Sequence, residues 1–312
     1  MTSLALGTLG LALSLLVPEA LARARWCARV PRASVVLWQA VTLASVLSAV
    51  GVVLVGPEEL VRALGSGPAV EAGALVGALL VAALITARLL VSLAGVMVRS
   101  RRRRARHAQL VDLLDRAEQR TGLQAPGAAP LRVLDGPLPL AYCLPGRSPR
   151  VVLSGAALTT LSPPQVAAVL AHEQAHLQAR HDLVLESFTA VYRAVPAPLR
   201  SRTPLDAVHL LLEMAADDAA RARCGAAPLH AALRAMSTAG DLAAGTADGS
   251  RPPRAEDRDR RLARLAVPAE PTRLLRSAVL VLAVAVLVLP TVFLVWPWLT
   301  QALLDLPALP RP

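Results

Sequence analysis

The sequence contains no lysine and no asparagine, and only 3% of its 312 residues are aromatic. Its whole formal charge of +11 is therefore carried by arginine. So few rings leave little on which bases could stack, and no direct nucleic-acid binding is expected. Cysteine is scarce too. Cys27, Cys143 and Cys224 lie far apart and form no C-x-x-C, which argues against a disulfide frame or a cysteine metal knot and for reduced thiols. Charged residues make up 18% against 54% hydrophobic ones, with a mean hydropathy of +0.50, too apolar for an ordinary soluble domain.

What the chain has in quantity is long apolar runs. Residues 4–21, 34–55, 73–98 and 277–299 are each long enough, at about 1.5 Å per helical residue, to cross a hydrocarbon core of ~30 Å. No basic residue precedes the first run, and Arg23, Arg25, Arg29 and Arg32 follow it, the reverse of a secretory signal peptide. The third ends in the densest basic cluster, 99–106, and arginines beside apolar segments suit anionic lipid headgroups. Positive charge marks the cytoplasmic side, so the region after residue 98 is expected there. The connection 56–71, with three glutamates and one arginine, is expected as an external loop, and both termini outside. Arg88, inside the third run, receives no role. The Ala, Arg and Pro bias fits a bacterium with a GC-rich genome.

This gives a mainly α, multi-pass plasma-membrane protein: three spans over 1–98, a cytoplasmic α+β domain over 99–273, and a fourth span with a short tail over 274–312. Within the cytoplasmic part, 107–123 has the pattern of an amphipathic helix. The short apolar runs 131–134, 141–144 and 151–153, separated by Gly/Pro turns, predict a small sheet. Ser162 followed by Pro163-Pro164 starts a helix, a second runs over 205–223, and 240–272 reads as a polar linker with a helical piece near 259–265.

The first of those helices carries His172-Glu173-Gln174-Ala175-His176, an H-E-x-x-H. Residues four apart stand on one helix face, so both imidazoles can address one metal ion, with Glu173 within reach of a water beside it. A catalytic zinc takes three protein ligands. Asp182 and Glu186, on or just beyond the same helix, reach the site only if that helix breaks. Glu213, on the next helix, can be folded back onto it. Asp217, one turn on, can accept the N–H of a ligating histidine. His209, one turn before Glu213, is a candidate oxyanion stabiliser, while His181 and His107 read as solvated. H-E-x-x-H inside an apolar span would mean an intramembrane protease, but here it lies outside every run.

Residues 161–176, ending in H-E-x-x-H, followed by Glu213-x-x-x-Asp217-x-x-Ala220, resemble the paired signature of integral-membrane gluzincins. These are the BlaR/MecR-type antirepressor metallopeptidases and the HtpX and CAAX-prenyl-endoprotease group. Leu144-Pro145-Gly146 and 151–154 resemble their preceding strand pair. The resemblance implies one Zn²⁺ per chain on His172, His176 and Glu213, Glu173 as general base, Asp217 behind the ligands, and hydrolysis of peptide bonds by metal-activated water. The arrangement of spans is closer to the BlaR/MecR type, although the β-lactam sensors carry a large extracellular penicillin-binding domain and only about a dozen residues follow the last run here. Expected partners are the lipid bilayer, a protein or peptide substrate in or near the cytoplasm, and a repressor or separate sensor. Membrane quality control and a non-catalytic signalling scaffold are the alternatives. The edge of the sheet at 151–153 is expected to hold the substrate backbone as an added strand.

Overall fold

The computed structural model describes residues 2–66, 69–114, 129–197, 200–243, 255–268 and 271–304. The four apolar runs form α1 (Thr2–Arg23), α2 (Pro31–Ser66), α3 (Ala69–Leu113) and α10 (Arg273–Leu304), with a short 3-10 turn, Arg25–Arg29, after α1. All four are long and apolar enough to cross a membrane. All four extend beyond the apolar runs, α2 and α3 the furthest. α2 continues through most of the stretch expected as an external loop, because Leu60 and Ala63 pack against Ala72 and Leu75 of α3. Packing of this kind outweighs the weak local preference of a Gly-Pro pair. α3 runs through the basic cluster to Leu113 and so absorbs the first part of the helix expected over 107–123; residues 115–123 lie outside the described ones.

The chain divides into two compact units. One comprises Met1–Ala94, Phe188–Val208 and Thr272–Pro312. Its helices meet through small residues. A Cβ on Gly51 of α2 would come within 2.9 Å of Leu6 of α1 and of Leu294 of α10, and one on Gly10 within 3.1 Å of the Ser48 Cβ. Close approach of this kind is how apolar helices gain packing where lipid competes for every hydrophobic contact. Glu59 is buried and accepts from the Thr2 N–H at 2.8 Å and from the Ser3 hydroxyl at 2.6 Å, so it caps the start of α1. Arg88 has a partner as well: its Nε donates to the Ala194 carbonyl at 2.7 Å, and Ser92 donates to that of Ala190 at 2.7 Å. These two side chains of α3 hold carbonyls in the last two turns of α6 (His181–Ala194), that of Ala194 being one a helix end leaves open.

The second unit comprises Gly95–Ser187 and His209–Pro271. The three predicted strands form where expected, as β1 (Leu131–Leu134), β2 (Ala141–Leu144) and β3 (Arg150–Ser154), in the order β1-β3-β2. β3 is parallel to β1 and antiparallel to β2. The centre therefore goes to the strand with the continuous apolar run Val151-Val152-Leu153, which is buried on both faces. This corrects the expectation that 151–153 offers a free edge: both its edges are taken, and the outer strands are β1 and β2.

Alternation sends Leu131, Val133, Val151 and Leu153 to one face, against α4 (Gly155–Thr160), α5 (Pro163–Gln178) and α8 (Ala226–Ala243). Val152 and Leu144 point the other way, onto Val111 of α3. α7 (Thr203–Cys224) follows α6, and α9 (Ala255–Ala266) turns part of the expected polar linker into a docked helix. Ala168 and Ala171 of α5 meet Ala220 of α7, Leu229 of α8 and Leu265 of α9 in one buried cluster. Beside this cluster polar side chains of α5, α7 and α9 come together.

Candidate metal centre

α5 starts as predicted at Ser162, whose N–H donates to Gln165 Oε1 at 2.9 Å, with Pro163 and Pro164 in the first turn. Two turns on, His172 and His176 bring their Nε2 atoms to 3.1 Å of one another. Glu213 of α7 reaches both, with Oε2 3.5 Å from His172 Nε2 and Oε1 3.4 Å from His176 Nε2. Bonds of about 2.0–2.1 Å in a tetrahedral site separate neighbouring ligand atoms by roughly 3.3–3.4 Å. Two imidazoles and a carboxylate at these spacings fit a tetrahedral ion such as zinc, and the three ligand atoms form a group able to hold a metal.

Around the group lies a charged shell. Asp217 is 1% exposed, and its Oδ1 is 3.1 Å from His172 Nδ1, close but poorly aligned for a hydrogen bond. Arg261 of α9 donates to Asp217 through Nε and Nη2, both at 2.8 Å, and its Nη1 is 2.8 Å from Glu213 Oε2. Burial alone would raise the Glu213 and Asp217 carboxyls, but His172 and Arg261 reverse this and hold both below the usual range. Burial also opposes a charge on His172, yet Asp217 and Glu213 outweigh it and push that imidazole up to about 10. His176, where burial dominates, falls to about 4. Burial raises Glu173, which accepts a hydrogen bond from the Cys143 thiol on β2; burial and the nearby Glu173 charge in turn push that thiol up.

Sequence reasoning missed three neighbours of the group. His181, read as solvated, is buried, with its Nδ1 2.9 Å from His176 Nδ1. α5 ends at Gln178, and Arg180, at φ 52°, turns the chain so that His181 doubles back beneath His176. No residue type in that turn announces a left-handed conformation. Arg261 was overlooked as one arginine among several, although it stands one turn before Leu265 and so shares the buried face of α9. Cys143 gave no signal.

The other candidates lie elsewhere. The helix does break after Gln178, but Asp182 and Glu186 turn to α3, where Arg104 pairs with both, at 3.1 Å to Asp182, and Ser100 donates to Glu186. One arginine of the basic cluster thus faces protein carboxylates. His209 is exposed on α7, and His107, also exposed, is 3.0 Å from the Tyr142 hydroxyl. The three cysteines are free.

A membrane protein by its four helices, the chain is similar to known peptidases: the model of peptidase family M48 matches residues 100–202, about a third of the sequence. The matched segment contains the sheet, α5 and the H-E-x-x-H. Glu213, Asp217 and Arg261 follow it. The match supports metallopeptidase activity, and peptidases of family M48 are typically zinc enzymes. Comparison with curated proteins and with solved structures returned no match.

Proposed function

We propose that the chain is a membrane-bound zinc endopeptidase that cuts cytoplasmic or juxtamembrane proteins. The observation that carries this reading is the convergence of His172, His176 and Glu213 at 3.1–3.5 Å with Glu173 beside them. In this reading the three residues would hold one Zn²⁺, and the chemistry such an ion would supply is Lewis acidity toward the scissile carbonyl and toward the attacking water. Glu173 takes the proton of the attacking water and delivers it to the departing amine nitrogen. The raised affinity of its carboxylate for protons suits that exchange. Asp217 fixes the ring of His172, and His181 that of His176, so that each presents Nε2.

The substrate strand is assigned to β2. Its backbone bonds to β3 start where Ser154 N–H donates to Leu140, and antiparallel alternation then turns Tyr142 and Leu144 inward and the N–H and C=O groups of Ala141 and Cys143 outward. An extended peptide added there runs beside α5. In the topology proposed, this unit is cytoplasmic and both termini are outside. The resemblance to antirepressor peptidases favours a repressor as substrate and a separate sensor as partner, with quality control of membrane proteins as the other use.

The test is zinc content, together with cleavage of casein or of the chain itself, in the purified wild type and in Glu173→Gln. Zinc at one per chain in both, with cleavage in the wild type alone, is expected. A wild type without zinc, or equal cleavage by the two, would overturn the reading. A reporter fused at Gly249 tests the topology and should report the cytoplasm.

A further inference from the structure

The shell of this centre is closed from a part of the chain that lies far beyond the H-E-x-x-H and beyond the segment similar to known peptidases. α9 is short and densely charged, but two of its arginines lie against α7 in a matched pair. Arg261 grips Asp217 with two hydrogen bonds of 2.8 Å, and Arg264 grips the adjacent Asp218 with two of 2.7 Å. Leu265, 3% exposed, anchors the same face in the alanine cluster. The two bridges are alike in chemistry and differ in reach. Arg264 holds Asp218, with the Met214 carbonyl 3.5 Å away, whereas Arg261 directs a further N–H, on Nη1, at Glu213 Oε2.

Resting on the zinc reading above, we propose that Arg261 is a positioning residue of the metal centre, a fork that fixes the Glu213 and Asp217 carboxylates together and makes α9 part of the site. Two consequences follow from the geometry. With Oε2 engaged by a guanidinium, Glu213 is left with Oε1 as its metal-facing oxygen, on the side of His176 Nε2. With both Asp217 oxygens held, Oδ1 stays beneath His172 Nδ1 and the ring cannot turn its Nε2 away. A planar five-donor group is suited to this task in a way that a lysine ammonium is not.

The experiment uses the full-length protein in detergent or nanodiscs and compares the wild type with Arg261→Met and Arg264→Gln. Zinc affinity is measured by competition with a chromophoric chelator, and the visible spectrum of the Co²⁺-loaded protein reports the number and arrangement of ligands. Residues that orient metal ligands contribute about 10–100-fold to metal affinity. Arg261→Met is expected to bind zinc weaker by that factor and to show an altered Co²⁺ spectrum, with Arg264→Gln at wild-type values in both. Wild-type affinity or spectrum in Arg261→Met overturns the proposal. So does an equal loss in Arg264→Gln, which would reduce the effect to the docking of α9. Should Arg261→Met fail to fold, Arg261→Lys, which keeps the charge and loses the fork, is read in the same two ways. A wild type that binds neither ion overturns the zinc reading and this proposal with it, a pattern distinct from wild-type behaviour in a variant.

Discussion

Buried carboxylates occur in both units of this protein, and they are treated in opposite ways. Glu59, among the spans, receives donors from the start of α1: the Thr2 and Ser3 N–H groups and the Ser3 hydroxyl. The two N–H groups would otherwise be orphans of the helix terminus, so donor and acceptor needs cancel and the result is a cap. In the second unit Glu173, Glu213 and Asp217 crowd round two imidazoles with Arg261 as the cation that touches two of them. Their surroundings leave negative charge uncompensated, and the same carboxylates pull a proton onto His172. A buried acid whose partners are all supplied by the fold is structural, and a buried cluster short of positive charge is a place for a cation.

The strongest test of this contrast removes one carboxylate charge while keeping its shape. Glu173→Gln should retain zinc and lower kcat by about 10²–10⁴, the span typical of a lost general base, with KM little changed. A smaller effect follows from withdrawing the ion. If the cluster is held together by zinc, a strong chelator lowers the stability of the second unit by about 4 kcal/mol where free zinc had stood at a thousand times Kd. A thermal melt with and without chelator measures this, and readdition of zinc should restore it. Smaller again is Asp217→Asn, which keeps volume but loses the charge facing His172 and Arg261. Zinc affinity should fall about 10–100-fold, the usual cost of disturbing a partner that orients a ligand.

The sequence made some of this plain and hid the rest for physical reasons. The spans, the three strands and the start of α5 were legible because each rests on local pattern: long apolar runs, alternation between turns, and a Ser-Pro-Pro start. His172 and His176 were legible because helical periodicity alone puts them on one face. The continuation of α2 past Gly56 was not, since it depends on Leu60 and Ala63 meeting α3. The central place of β3 was hidden likewise, since strand order is a long-range property and a continuous apolar run is its only local trace. Arg261 was hardest. It stands forty-four positions after the Asp217 it meets, and nothing distinguishes it from Arg260 except the helical phase set by Leu265.

The mildest expected effect falls on the other side of the comparison. Glu59→Gln keeps one acceptor oxygen and replaces the other by an NH₂, which faces the Ser3 N–H and hydroxyl donors that Oε2 now accepts. Leaving such buried donors without a partner costs about 1–3 kcal/mol. The loss should appear as a lower melting temperature by the same amount with or without chelator, because sites that share no partners contribute independently. Zinc affinity and cleavage should stay at wild-type values. If Glu59→Gln instead weakens zinc binding, the division between a capping acid and a charge-deficient cluster fails, and the two groups are coupled through the helices that connect them.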